Sequence, residues 1–247
     1  MEKERLGKRY YTNKGSKDNI ILSIAGPHGI GKTTIFNLLK KSLGTNNKFK
    51  FFPERYIKIP PFPFGSCDKQ IGFRSEIHFL QQLIKRNKNI TNFDNQYNGR
   101  VIILDRTPIC VLVYSKSLYL KEKDYNLILD MYKSVKWKED YIVYLTAQSD
   151  TILKRIIQRG SIDKTRKEWN ESDKEYLLKI LSYYNQFLLS KTQTKKIFII
   201  DTDKLTTEEV VEEIKKIIAN LSGYSFNKLI NSPSTQNSTQ KNLNDFM

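Results

Sequence analysis

Asn19-Ile20-Ile21-Leu22-Ser23-Ile24-Ala25, running straight into Gly26-Pro27-His28-Gly29-Ile30-Gly31-Lys32-Thr33, is the stretch that decides how this chain folds. Its first half is short, apolar and rich in β-branched residues, the pattern of a strand buried in a parallel sheet. Its second half has glycines at 26, 29 and 31, which let backbone N–H groups turn inward around phosphate oxygens. From Lys32 to Leu43 apolar residues recur at 35, 36, 38, 39 and 43, a helical spacing closed by Gly44. Strand, glycine loop and helix in that order are the context in which such a loop becomes a phosphate cradle at a helix N-terminus. Lys32 would place a positive charge between the β- and γ-phosphates, and the Thr33 hydroxyl would serve Mg²⁺. The expected nucleotide-binding set is Gly26, His28, Gly29, Ile30, Gly31, Lys32, Thr33 and Thr34, with His28 a loop residue near the phosphates rather than a catalytic base.

Outward from this stretch the strand pattern returns at Phe49–Phe52, Val101–Leu104, Tyr141–Leu145 and Ile197–Asp201. Helical spacing fills the intervals, at about 73–88, 109–120 and 124–136, then in a helix that Ser149 or Asp150 could cap and in a long one to about 190. Thr206 and Glu209 have the spacing of a capping box at the start of a last amphipathic helix. Strands alternating with helices predict a three-layer α/β/α fold around a parallel five-stranded sheet, with a helical lid. The expected domain covers 19–222, after a flexible basic arm at 1–18 and before a polar tail at 223–247, whose last part, 231–247, reads as disordered. In such sheets ligands gather at the carboxyl ends of the strands, so 26–33, 53–56, 105–107, 146–149 and 201–204 are the loops to watch.

Composition narrows the classes. Lysine and arginine outnumber acids by 42 to 26, a formal charge of +16, and they are spread along the chain rather than gathered in one block. That suits a basic surface with a phosphate site, and leaves nucleic acid as a less favoured partner. Two cysteines, Cys67 and Cys110, and two histidines, His28 and His78, make neither a disulfide framework nor a Cys/His metal site. No apolar run approaches the ~20 residues of a membrane span, and the charged first 17 residues are not a secretory signal. The expected setting is cytoplasmic, with no membrane partner.

Four positions carry candidate chemistry beyond the loop. Asp105-Arg106 ends the third strand, where the acid can hold Mg²⁺ and the arginine a phosphate; the bland alternative is a helix-capping pair. Glu54 lies just beyond the second strand, where it could take a proton from an attacking hydroxyl or simply pair with Arg55 or Arg106. Arg155 and Arg159 share a helix face ahead of a basic segment with Lys164, Arg166 and Lys167, as a lid over a triphosphate requires, or as a solvated face would also show. His78 and Cys110 sit in apolar helical surroundings and read as packing residues.

With these positions together the chain resembles the deoxynucleoside kinase and thymidylate kinase superfamily over about 20–220. The likeness rests on the glycine loop, Pro53-Glu54, Phe73-Arg74-Ser75-Glu76-Ile77-His78-Phe79-Leu80, Asp105-Arg106-Thr107, Asp124-Tyr125 with Asp130-Met131-Tyr132, and Leu153 to Gly160. The resemblance implies ATP- and Mg²⁺-dependent phosphorylation of a small-molecule nucleoside or nucleotide, in a protein that is usually a homodimer. It makes Glu54 the base on a 5′-hydroxyl, Asp105 with Thr33 the metal residues, and Arg106, Lys32, Arg155 and Arg159 the cations on the transferred group. Substrate contacts fall on Glu54, Tyr56, Glu76, Phe79 and Arg106, and Tyr114 matches a tyrosine common in thymidylate kinases. The base-reading positions depart from the family pattern: Glu76, Leu83 and Val111 stand where Gln, Arg and Asp are usual. An ionised Glu76 only accepts hydrogen bonds, which would suit the N1–H and N2–H₂ donors of guanine. The leading expectation is a deoxynucleoside kinase. Thymidylate kinase is the alternative, and a nucleic-acid-binding ATPase, polynucleotide-end kinase or catalytically quiet relative are those of other classes.

Overall fold

The computed structural model describes residues 18–54, 65–66, 68–160, 170–190 and 195–226. Tyr56, Arg55, Cys67, the basic segment with Lys164, Arg166 and Lys167, most of the expected arm and nearly all of the tail lie outside them. Five strands, β1 (Ile20–Ala25), β2 (Phe49–Phe52), β3 (Val101–Asp105), β4 (Tyr141–Thr146) and β5 (Lys196–Asp201), form one parallel sheet in the order β2-β3-β1-β4-β5. The described helices are α1 (Lys32–Leu43), α2 (Lys69–Gln96), α3 (Ile109–Ser117), α4 (Glu122–Lys133), α5 (Ser149–Gln158), α6 (Lys174–Leu188) and α7 (Thr207–Ser222). This is the three-layer α/β/α arrangement expected from the alternation of patterns.

Strand composition follows position in the sheet. β1, β3 and the first five residues of β4 are buried throughout, since each has a neighbour on both sides and helices over both faces. β2 and β5 are edges and are partly exposed, which is where Lys50 and Lys196 are found. The period-two alternation divides the core. Leu22, Ile24, Val101, Ile103, Val143 and Leu145 meet α1, α5 and α7, while Ile142 and Tyr144 face the layer of α2, α3, α4 and α6.

The helices differ from the sequence expectation at their ends. α2 begins earlier and ends later than 73–88, running from 69 to 96. Asp68 caps its start by accepting from the amides of Gln70 and Ile71, and its polar last turns are kept helical by Ile90 and Phe93 packing on Ile21, Ile102 and Leu104. The cap expected from Ser149 or Asp150 is absent: Gln148 is the N-cap residue, and its amide is bonded instead by the Asp203 carboxylate from beyond β5. The Thr206–Glu209 capping box is formed in both directions. Packing also continues past α7, where Tyr224 and Phe226 lie against Phe49. No helix among the described residues is long and apolar enough to cross a membrane.

Candidate active site

The carboxyl ends of β1, β2, β3 and β4 converge, and the strand register sets what meets there. Gly26, Gly29 and Gly31 all have positive φ, at 143°, 80° and 105°. Each glycine has its own reason. A Cβ on Gly26 would lie 2.5 Å from the Leu145 carbonyl, and one on Gly29 would lie 2.6 Å from Ile156, whereas a Cβ on Gly31 would meet nothing within 4 Å. The first two let the loop press against β4 and α5, and Gly31 turns the chain over open space at the start of α1.

Lys32 is buried, and its ammonium donates to the carbonyls of Gly26 (2.8 Å) and Pro27 (2.7 Å), so the loop is braced by its own cation. Burial, reinforced by the Arg106 charge and opposed by Asp105 and Glu54, lowers its pKa to about 7. Pairing of Ile24 with Asp105 brings β3 beside the loop, and the Thr33 hydroxyl donates to Asp105 Oδ2 at 3.3 Å. Asp105 Oδ1 is buried without a hydrogen-bond partner, an orphaned anionic oxygen of the kind a hard cation satisfies. Among the described residues no three His, Cys, Asp or Glu side chains gather as a metal cage. A cation beside Asp105 and Thr33 would therefore share its ligands with phosphates, the usual state of Mg²⁺.

Pairing of Phe52 with Leu104 carries forward two residues to align Glu54 with Arg106, and Arg106 Nε meets Glu54 Oε2 at 2.6 Å. The pairing that sequence left open for Glu54 is thus with Arg106. Beside this pair, α2 and α3 enclose a narrow cleft lined by Glu54, Glu76, Phe79, Leu83, Arg106, Cys110, Val111 and Tyr114. Expected contacts Glu76 and Phe79 come together here, with Leu83 and Val111 as apolar neighbours. Glu76 is buried, and desolvation, with the nearby Glu54 and against the pull of Arg106, raises its pKa to about 8. That corrects the reading of Glu76 as a pure acceptor: near neutral pH its carboxyl keeps its proton and can donate as well as accept.

On the other side of the loop, a cavity of about 310 Å³ is lined by Gly29, Ile30, Gly31, Thr34, Arg155, Arg159, Thr202 and residues 205–207, among others. Arg155 and Arg159 share this wall, but Arg155 is already engaged: its guanidinium donates to the Thr202 hydroxyl (2.8 Å) and carbonyl (2.6 Å). Its fork therefore holds the loop after β5, a task the helical spacing of the two arginines did not indicate. His28 is a second correction. Its amide donates to the Tyr114 hydroxyl (3.0 Å), its Nε2 lies 3.0 Å from the Glu171 carbonyl, and its ring stacks on Tyr176. The amide is thus turned towards α3 rather than into the cradle. Burial, only partly offset by the Glu171 hydrogen bond, lowers its pKa to about 4, which keeps the ring neutral. Cys110 is buried in the cleft wall, and His78 packs edge-on against Phe79, as their surroundings suggested.

Two functional-looking residues escaped sequence reasoning, Arg86 and Glu139. Both are buried, and both hold the turn that carries Asp105 and Arg106. The available signal was Arg86 lying on the apolar stripe of α2 with Leu80, Leu83 and Ile90.

Comparison with known proteins finds similarity in sequence and in fold. The family model described as deoxynucleoside kinase matches residues 22–222. A deoxyguanosine kinase from Lactobacillus johnsonii is 27% identical over 218 residues, spanning 81% of this chain and 92% of the relative. A deoxyadenosine/deoxycytidine kinase from Bacillus subtilis is 26% identical over 209 residues, 81% of this chain and 94% of that protein. A solved structure of deoxyadenosine kinase from M. mycoides with bound dATP superimposes with a TM-score of 0.63 at 25% identity, covering 81% of this chain and 99% of that one.

Proposed function

Because the chain belongs to the deoxynucleoside kinase family, we propose that its converging strand ends transfer the γ-phosphoryl group of Mg²⁺-bound ATP to the 5′-hydroxyl of a deoxynucleoside. The observation that carries this is the Glu54–Arg106 pair, held by strand register beside the glycine loop and at the mouth of an apolar cleft. Bound ATP and Mg²⁺ supply the phosphoryl group and neutralise part of its charge. The loop amides and Lys32 would hold the phosphates, and Thr33 and the orphaned oxygen of Asp105 would hold the cation. Glu54, ion-paired with Arg106, takes the proton of the 5′-hydroxyl as the new O–P bond forms and the bond to the ADP oxygen breaks. Arg106 faces the charge that develops between acceptor and donor, and Arg159 approaches the donor from its own wall. The acceptor's base lies in the cleft against Glu76, Phe79, Leu83 and Val111.

ADP release measured against deoxynucleosides, ribonucleosides and monophosphates tests the assignment. The relatives' names make deoxyguanosine, deoxyadenosine and deoxycytidine the first acceptors to try. Glu54→Gln is expected to lower kcat about 10²–10⁴-fold while ATP binding is retained. Full activity in that variant, or turnover of dTMP far above every nucleoside, would refute the base role in favour of a monophosphate acceptor, whose phosphate is already ionised.

A further inference from the structure

The chain turns out of β3 immediately after Asp105. Arg106 has φ of 68°, in the left-handed region, which is unfavourable for a residue with a side chain. It is in this conformation that Arg106 reaches Glu54. Something must hold the turn there, and two buried ionic side chains surround it.

Arg86, on α2, is 4% exposed. Its Nη1 donates to the carbonyl of Asp105 and its Nη2 to the carbonyl of Arg106 at 2.7 Å. Successive carbonyls of an extended strand point in opposite directions, so one planar fork cannot grip both unless the residue between them leaves the extended region. The fork therefore matches the left-handed turn and not the extended one. Burying a guanidinium is unfavourable unless its donors are matched, and burial indeed lowers the pKa of Arg86, with Glu54 the leading charge that opposes the shift.

From the other side, Glu139 takes the Thr107 hydroxyl on Oε1 (2.9 Å) and the Ser23 hydroxyl on Oε2 (2.7 Å), and is paired with Lys195 at 2.5 Å. Ser23 is in the middle of β1, the strand that delivers the glycine loop. One carboxylate thus ties the strand leading to the phosphate cradle to the turn bearing Asp105 and Arg106.

We propose, resting on the phosphoryl-transfer reading above, that Arg86 and Glu139 are positioning residues: together they hold 105–107 in the turn that sets Arg106 against Glu54 and Asp105 against Thr33. Neither touches substrate. Their loss misplaces groups that do, so it acts on turnover more than on binding.

The test compares Arg86→Lys and Arg86→Ala with Thr107→Val, which keeps the shape and loses the hydroxyl, and Thr107→Ser, which keeps the hydroxyl, each in the full chain. A lysine keeps the charge but cannot span two carbonyls. Both Arg86 variants are expected to lose about ten- to a hundredfold in kcat with KM for nucleotide and acceptor within about threefold, as a displacement near 1 Å would cause. Guanidinium ion should restore Arg86→Ala and leave Arg86→Lys unimproved. Thr107→Val should lose several-fold in kcat, and Thr107→Ser should match the parent. Full kcat in Arg86→Lys, a folded Arg86→Ala that guanidinium does not rescue, or parental turnover in Thr107→Val would each overturn the proposal. If Arg86→Ala does not fold, the Thr107 pair decides. A crystal structure of Arg86→Lys gives an answer that does not depend on turnover: Arg106 should leave positive φ and separate from Glu54, and an unchanged turn would sink the brace. If the parent phosphorylates no nucleoside, the function assignment fails while this structural outcome still judges the brace.

Discussion

A carboxyl buried in the acceptor cleft should make base preference depend on pH. Glu76 has its pKa raised to about 8 by burial, with Glu54 adding to the effect and Arg106 opposing it. The sign follows directly: below that value the group is a neutral acid, and above it a carboxylate. At pH ~7 roughly nine-tenths of Glu76 is neutral, and at pH ~9 roughly nine-tenths is ionised. The neutral acid offers one donor and one acceptor, matching N1 and the N6 amino group of adenine or N3 and the N4 amino group of cytosine. The carboxylate offers acceptors only, matching N1–H and N2–H₂ of guanine. Reading guanine at pH ~7 then requires ionising Glu76 first, at about 1.4 kcal/mol. Between these two pH values kcat/KM should fall about tenfold for deoxyadenosine and deoxycytidine and rise about tenfold for deoxyguanosine, changing their ratio roughly a hundredfold. Taking the ratio removes every titration on the donor side, including that of Lys32, because all acceptors share it. Steady-state assays in a constant-ionic-strength buffer series measure it. Glu76→Gln, which does not titrate, should give a flat ratio. A flat ratio in the parent chain, or the same slope in Glu76→Gln, would refute Glu76 as the base-reading group.

Three other perturbations have defined outcomes. Lys32 titrates at about 7 in the nucleotide-free protein and must be charged against phosphate, so ATP binding above that pH takes up a proton and weakens by up to about tenfold per pH unit; calorimetry in buffers of different ionisation enthalpy reads the uptake, and its absence at pH ~8 refutes the assignment. Gly29→Ala drives a Cβ to 2.6 Å from buried Ile156 at φ of 80°, and should cost about 2–4 kcal/mol, seen as a Tm lower by about 5–15 °C. Thr206→Ala removes the capping box of α7 and should cost about 1 kcal/mol by denaturant titration, and an unchanged unfolding midpoint would refute the cap's contribution.

Periodicity made the frame legible. Buried parallel strands carry continuous apolar runs, so β1 and β3 were readable almost to the residue, and the glycine loop followed from its place between β1 and α1. Their carboxyl ends in turn nominated Glu54, Asp105 and Arg106. What stayed hidden depended on partners remote in sequence. Arg86 does not stand out, because a lone arginine among polar neighbours reads as surface, although its spacing from Leu83 and Ile90 puts it on the buried stripe. The spacing of Arg155 from Arg159 points to a shared helix face, but Thr202, 47 positions later, takes the hydrogen bonds of Arg155. His28 occupies an unspecified place in the loop motif, and only Tyr114 and Glu171 determine which way it turns. The protonation of Glu76 was invisible for a related reason: it is set by a cleft that three separate segments build.

The direction of the Glu54 carboxylate is inherited from β2, a four-residue strand bonded on one flank only. Side chains alternate sides along a strand, so sliding β2 past β3 by a single residue would send that carboxylate to the opposite surface of the sheet, and Phe49 and Phe51 with it. Phe49 and Phe51, packed on Phe36 and Tyr224 across the sheet from the cleft, therefore fix where the carboxylate on the other face points.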